Sequence, residues 1–187
     1  STSVMTSNGY YFKGKSLSIP TSDDGIIYTG RDNLSNINVT KLSSSGCILW
    51  SFSYDFGSAS TGTMIKQLVD GGYLVGGNLN ANTLNDSSFV MKITSSGDVV
   101  WSRILGFSEM MNDCAQMGNL LVIITGQTGD SSESSILEMD ESLGTVNSVK
   151  KITRTPLDET DTSINCHFNR VIPALFGGYY LGGSVDY

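Results

Sequence analysis

The side chains most open to chemistry are three asparagines in N-x-S/T triplets: Asn33-Leu34-Ser35, Asn38-Val39-Thr40 and Asn85-Asp86-Ser87. This spacing is the acceptor signal for an N-linked glycan, a bulky solubilising group that surface turns carry and cores do not. Catalysis has thinner support. His167 is the single histidine, and its neighbours Asn165, Cys166 and Phe168 form no nucleophile pattern, so a triad is rejected. One histidine and three dispersed cysteines do not make a zinc set. Among the acids Asp55, Asp70, Asp98 and Asp113 there is no obvious glycosidase pair; Asp24, Asp70 and Asp98 read as hairpin-turn caps. The cluster Asp158-Glu159-Thr160-Asp161 offers oxygens to Ca2+, without the alternating acids of an EF-hand. No other cofactor and no catalytic residue is assigned. Tyr10, Tyr11, Tyr54, Phe56, Tyr73, Tyr179 and Tyr180 suit either sugar stacking or an apolar core, and the core is the commoner use.

These residues sit in a repeat. One copy runs Asp70-Gly71-Gly72-Tyr73-Leu74-Val75-Gly76-Gly77, then Phe89-Val90-Met91-Lys92-Ile93, then Ser95-Ser96-Gly97 and Trp101. The copy before it has Asp24-Gly25-Ile26 to Gly30, Val39-Thr40-Lys41-Leu42, Ser44-Ser45-Gly46 and Trp50. Gly30, Gly77, Gly126 and Gly183 read as matching glycines, spaced by 47, 49 and 57 residues, and the two tryptophans are 51 apart. Phe89, Met91 and Ile93 alternate with Val90, Lys92 and Thr94, the period of a strand, and no window carries a helical stripe. Each unit resolves into four short strands, the first hairpin closing on a glycine able to take positive φ. Repeated four-stranded units predict an all-β fold, a β-propeller of antiparallel blades. The expected blades are 15–62, 63–112, 113–164 and 165–187 together with 1–14, in one domain or as a fragment of a larger propeller. Residues 1–14 suit the third and fourth strands of a last blade closed by the chain ends. Gly9-Tyr10-Tyr11, however, matches Gly178-Tyr179-Tyr180 of a second strand. Trp50 and Trp101 are the expected blade-docking plates; in the third copy Asn147 or Ser148 takes that place.

The pattern Asp-Gly-Gly-Tyr, apolar-x-Lys-apolar, Ser-Gly-x-x-x-Trp resembles secreted propeller repeats, and its Gly-x-x-x-Trp part is similar to the tryptophan-docking repeat of quinoprotein dehydrogenases. The resemblance implies architecture and leaves activity open. No cofactor-pocket residues of the quinoprotein kind are placed.

Composition narrows the setting. With 18 acidic against 11 basic residues, a formal charge of −7 and scattered cations, nucleic acid is not an expected partner. The longest apolar stretch, Leu120 to Ile124, is too short to cross a bilayer. The amino terminus has neither an initiator Met nor a signal-peptide pattern and reads as processed or truncated. Few charges, abundant Ser, Thr, Asn and Gly, and the sequons favour a secreted or cell-surface protein. Cys47, Cys114 and Cys166 allow one disulfide with three possible pairings. Cys114 with Cys166 is preferred, since both fall at the first strand of consecutive repeats; three free thiols is the alternative. The expected function is a glycosylated, non-catalytic structural or interaction module whose partners are itself or other extracellular proteins. The alternative is a carbohydrate-binding or carbohydrate-active propeller.

Overall fold

The computed structural model describes residues 17–80, 86–107, 109–126, 134–152 and 165–186. Every regular element in it is a strand. Blade 1 contains β1 (Leu17–Pro20), β2 (Ile26–Arg31), β3 (Ile37–Leu42) and β4 (Ile48–Tyr54). Blade 2 contains β5 (Ser60–Gln67), β6 (Tyr73–Leu79), β7 (Ser87–Ile93) and β8 (Val99–Leu105). Blade 3 contains β9 (Met110–Met117), β10 (Leu120–Gly126), β11 (Ser134–Asp140) and β12 (Val146–Ile152). A fourth, two-stranded sheet holds β13 (Asn165–Pro173) and β14 (Tyr179–Asp186). Each full blade is an antiparallel meander in chain order. The chain divides into two compact units, Ser1–Ser108 and Glu109–Tyr187, where the repeat alone reads as one domain. The expected boundaries at 63 and 113 would cut into β5 and β9.

Burial follows position within a blade. All seven residues of β6 are buried, because a middle strand is covered on both faces, whereas β4, β8 and β12 at the sheet edge are largely exposed. One turn recurs. Leu68 N–H donates to Gly72 O at 2.9 Å and Gly71 N–H to Leu68 O at 3.0 Å, with Gly71 at φ 84°. The same two bonds close 21–25, 32–36, 43–47, 94–98 and 174–178. This is a type I turn ending in a left-handed residue, and glycine takes that place except at two turns of blade 1, where Asp24 adopts φ 60° and Ser35 φ 71°. Asp24 is therefore not the cap; Asp23 is, accepting from Gly25 N–H at 3.3 Å.

The strand register aligns the copies better than composition does. The first strands of blades 2, 3 and 4 bulge at the same place, between the partners of Gly76 and Gly77, of Ile124 and Thr125, and of Gly182 and Gly183. Thr125, not Gly126, thus occupies the place of Gly77. The glycine that lets two blades close up is Gly62 on β5, where an added Cβ would run into Thr29 of β2. Gly77 instead faces the backbone of Thr61 and the ring of Phe89 in its own blade.

Candidate interaction surface

Within the first unit, blade 1 grips blade 2 through aromatic side chains of its outer strand. Trp50 packs on Tyr73, ring centroids 6.3 Å apart, and its Nε1–H donates to Ser95 O at 3.1 Å. Tyr54 donates its hydroxyl to Gly97 O at 2.6 Å. Burial, with the Asp98 carboxylate adding to it, raises the Tyr54 pKa and keeps that proton in place. Phe52 lies against Gly97, where a Cβ would stand 2.6 Å from the ring. Under these rings lies a core of Ile27, Val39, Ile65, Val75, Phe89 and Met91, with the Phe56 ring tilted against Phe89 at its margin. Trp101 is buried in blade 2 with the Arg103 guanidinium 6.0 Å from its ring.

Opposite each tryptophan stands a buried lysine, since Lys41 pairs with Trp50 and Lys92 with Trp101 in register. Lys41 Nζ donates to both Asp23 oxygens and to Leu42 O, each at 2.9 Å. Lys92 Nζ meets Asp70 Oδ2 at 2.7 Å. Hydrogen bonds from Thr21 and then Lys41 hold the Asp23 carboxyl far below its ordinary range. For Asp70, burial pushes upward, but Lys92 and the Gly72 N–H outweigh it and the pKa falls.

Blade 3 inverts this arrangement. Register places Ser148 opposite Glu138, so Ser148 replaces the tryptophan, Glu138 replaces the lysine, and Asn147 is a bulge residue. Glu138 accepts from Ser148 Oγ and Lys150 Nζ, both at 2.7 Å, and from the Tyr179 hydroxyl at 3.4 Å. Lys150, followed by Ser148, lowers the Glu138 pKa, and Glu138 raises that of Lys150. Tyr179 holds the register place of Tyr73, so a polar contact stands where the first unit packs two tilted rings together. Val171 N–H donates to Asp113 Oδ2 at 3.1 Å, and Asn112 Nδ2 donates to Phe168 O at 2.9 Å, tying β9 to β13.

Asn33 is exposed in the β2–β3 turn. Asn38 is fully buried in β3: its Nδ2 donates to Ser51 Oγ at 3.2 Å and Phe52 O at 3.3 Å, and its Oδ1 accepts from Thr40 Oγ1 at 3.0 Å. A glycan has no room there, and Asn38 is withdrawn as an acceptor. Asn85, the 158–161 cluster, Tyr10, Tyr11 and the chain-end strands of residues 1–14 lie outside the described residues, as do the side chains of Cys166 and His167. Cys47 is exposed and Cys114 is buried in β9, and the side chain of Cys166, the expected partner of Cys114, lies outside the described residues. Cys114 pairs with Ile123, whereas its neighbour Ala115 pairs with Val122. Alternation therefore turns Cys114 away from the face where Ala115 and Val122 pack on Val171 of β13. Tyr180 is exposed, in contrast to Tyr54, Tyr73 and Tyr179 in or beside the cores. No group of three or more His, Cys, Asp or Glu able to hold a metal occurs among the described residues. Nor does any described helix reach the length and apolarity needed to cross a membrane.

One buried acid gave no sequence signal. Glu109 accepts from Thr125 Oγ1 and, at 3.1 Å, from Ser135 Oγ. Its partner Thr125 occupies the glycine place of blade 2, and that departure is the only trace in the sequence.

Two solved structures share this architecture. A protein of unknown function from Bacteroides caccae aligns over 92% of this chain and 72% of its own, at 13% identity and a TM-score of 0.52. A subtype N10 neuraminidase-like protein of an A/little yellow-shouldered bat/Guatemala isolate aligns over 100% of this chain, at 16% identity and a TM-score of 0.51. The fold is a β-propeller. The chain spans 56% of the neuraminidase-like protein's length. No protein family and no curated protein matches it.

Proposed function

We propose that the chain is an extracellular, glycosylated structural or interaction module that carries no catalysis and assembles with itself through its open strand edges. The observation carrying this is the apolar character of the edge strands. Ile48, Leu49 and Phe52 on β4, Val99, Val100 and Ile104 on β8, and Val146 and Val149 on β12 are all exposed. Edge strands with apolar side chains and unpaired backbone are templates for another chain. The placement of the acids supports the same reading: Asp23 and Asp70 are engaged by lysines, Asp32 and Asp140 by their own turns, and Glu109 by two hydroxyls. Asn33 is the described acceptor for a glycan. Electron microscopy of the native glycosylated protein tests the proposal: filaments, rings or discrete oligomers are expected, and isolated particles with a ligand in a polar pocket would reject it.

A second reading, carbohydrate recognition, rests on the name of the neuraminidase-like neighbour and on the exposed Tyr180 ring. Binding to a member of a glycan panel, abolished by Tyr180→Ala, would establish it.

A further inference from the structure

The fourth sheet has two strands among the described residues, and the second of them repeats a strand that is buried elsewhere. Register sets Tyr179, Tyr180, Leu181, Gly182 and Gly183 of β14 in the places of Tyr73, Leu74, Val75, Gly76 and Gly77 of β6. β7 pairs the far side of β6, and β6 is buried throughout; β14 has no such partner among the described residues. Leu74 is 0% exposed, and Tyr180 in the same place is 63% exposed. The turn before β14 also departs from its copies. Phe176, fully exposed, stands where blades 1 and 2 have Asp23 and Asp70, the acids that hold Lys41 and Lys92 of their third strands. A third strand fitted to β14 therefore carries an apolar residue in the lysine place. Residues 1–16 have that sequence. Thr6-Ser7-Asn8-Gly9 repeats the turn Thr94-Ser95-Ser96-Gly97, and counting back from the glycine puts Val4 in the place of Lys92. Lysine and aspartate are thus exchanged together for valine and phenylalanine.

We propose that β14 receives residues 2–12 of a second copy as the third and fourth strands of its sheet; the inference rests on the self-assembly reading above. Charge decides which surfaces meet. Of the 18 acids, 11 lie in Glu109–Tyr187 with only 4 of the 11 cations, so the whole formal charge of −7 belongs to that stretch. Residues 1–22 hold Lys13 and Lys15 and no acid. Two acidic stretches repel one another, whereas a cationic segment laid on one is attracted. Donor and receiver are different surfaces, so the contact is heterologous and extends into a ring or a filament. Val4 of the partner subunit then lies opposite Tyr180, as Lys92 lies opposite Leu74, and reaches Phe176 as Lys92 reaches Asp70. Apolar cross-strand pairs of this kind stabilise a sheet.

Sedimentation of the whole chain from micromolar to near-millimolar concentration tests this, using Val4→Lys and Phe176→Asp, which together restore the ion pair of blade 2. The wild type is expected to associate, and each variant alone to weaken association by at least about tenfold, because an unpaired charge enters the contact. An equimolar mixture of the two variants is expected to recover it, since every contact between unlike copies is then either the native pair or the lysine–aspartate pair. Circular dichroism melts check that each variant is folded. Association that both folded variants keep, or that mixing fails to recover, overturns the β14 assignment and leaves self-assembly standing. A wild type that stays monomeric throughout overturns both. Monomers whose melting point falls in each variant and returns in the doubly substituted chain would give the segment to its own chain and overturn the second copy.

Discussion

Asp70 and Lys92 form an unequal pair: the ammonium is buried and the carboxylate half in water, with side-chain exposures of 9% and 49%. Water screens such a contact from the acid's side, so its contribution is smaller than that of a fully buried ion pair. Removing the acid's charge nonetheless leaves the lysine under blade 2 without its counter-ion. Asp70→Asn is expected to cost about 1 kcal/mol of unfolding free energy at neutral pH, measured by urea titration. The sign with pH follows from the depressed native pKa values of Asp70 and Asp23. Their stabilisation is complete above the unfolded carboxyl value of about 4 and is lost as pH falls through the lower native values. Thermal midpoints are therefore expected to stay level from neutrality to about pH 5 and fall below about pH 4, less steeply in Asp70→Asn. An equal slope in the variant would remove Asp70 from this account.

At the level of strands and blades, the turn centred on Ser95 and Gly97 is the hub of the first junction. It offers two carbonyls to Trp50 and Tyr54 and a bare Cα to Phe52. Trp50→Ala removes both a ring from the core margin and the bond to Ser95, and is expected to cost about 2–3 kcal/mol. Tyr54→Phe keeps the ring and is expected to cost about 1 kcal/mol. Urea unfolding of the two variants checks the order, and a Tyr54→Phe loss as large as that of Trp50→Ala would contradict the junction described. The blades were legible because glycine turns, period-two strands and the Gly-to-Trp spacing are local signals. What stayed hidden depends on register. The choice of Ser148 over Asn147, of Asp23 over Asp24 and of Thr125 over Gly126 turns on single-residue bulges and turn positions, which composition does not mark. The expected pairing of Cys114 with Cys166 has the same limit: strand-level proximity does not say which sheet face a side chain takes.

For the molecule as a whole, the sequons show how one pattern carries two meanings. N-x-T is an acceptor signal, and it is also two polar residues at the spacing that puts both on one face of a strand. In Asn38-Val39-Thr40 the second meaning holds, since Asn38 and Thr40 bond to one another and to Ser51 inside blade 1. In Asn33-Leu34-Ser35 the asparagine stands in a turn, exposed beside a Leu34 that is 77% exposed. The fold thus leaves Asn33 open to a glycan and needs Asn38 bare. Expression through a eukaryotic secretory pathway, followed by intact mass before and after amidase treatment, should show Asn33→Gln losing one glycan mass. Asn38→Gln should keep the wild-type glycan mass while lowering stability by about 1–3 kcal/mol, because its buried partners lose their bonds. A glycan found on Asn38 would mean that β3 is not a buried strand in the secreted protein, and blade 1 would then have to be assembled differently.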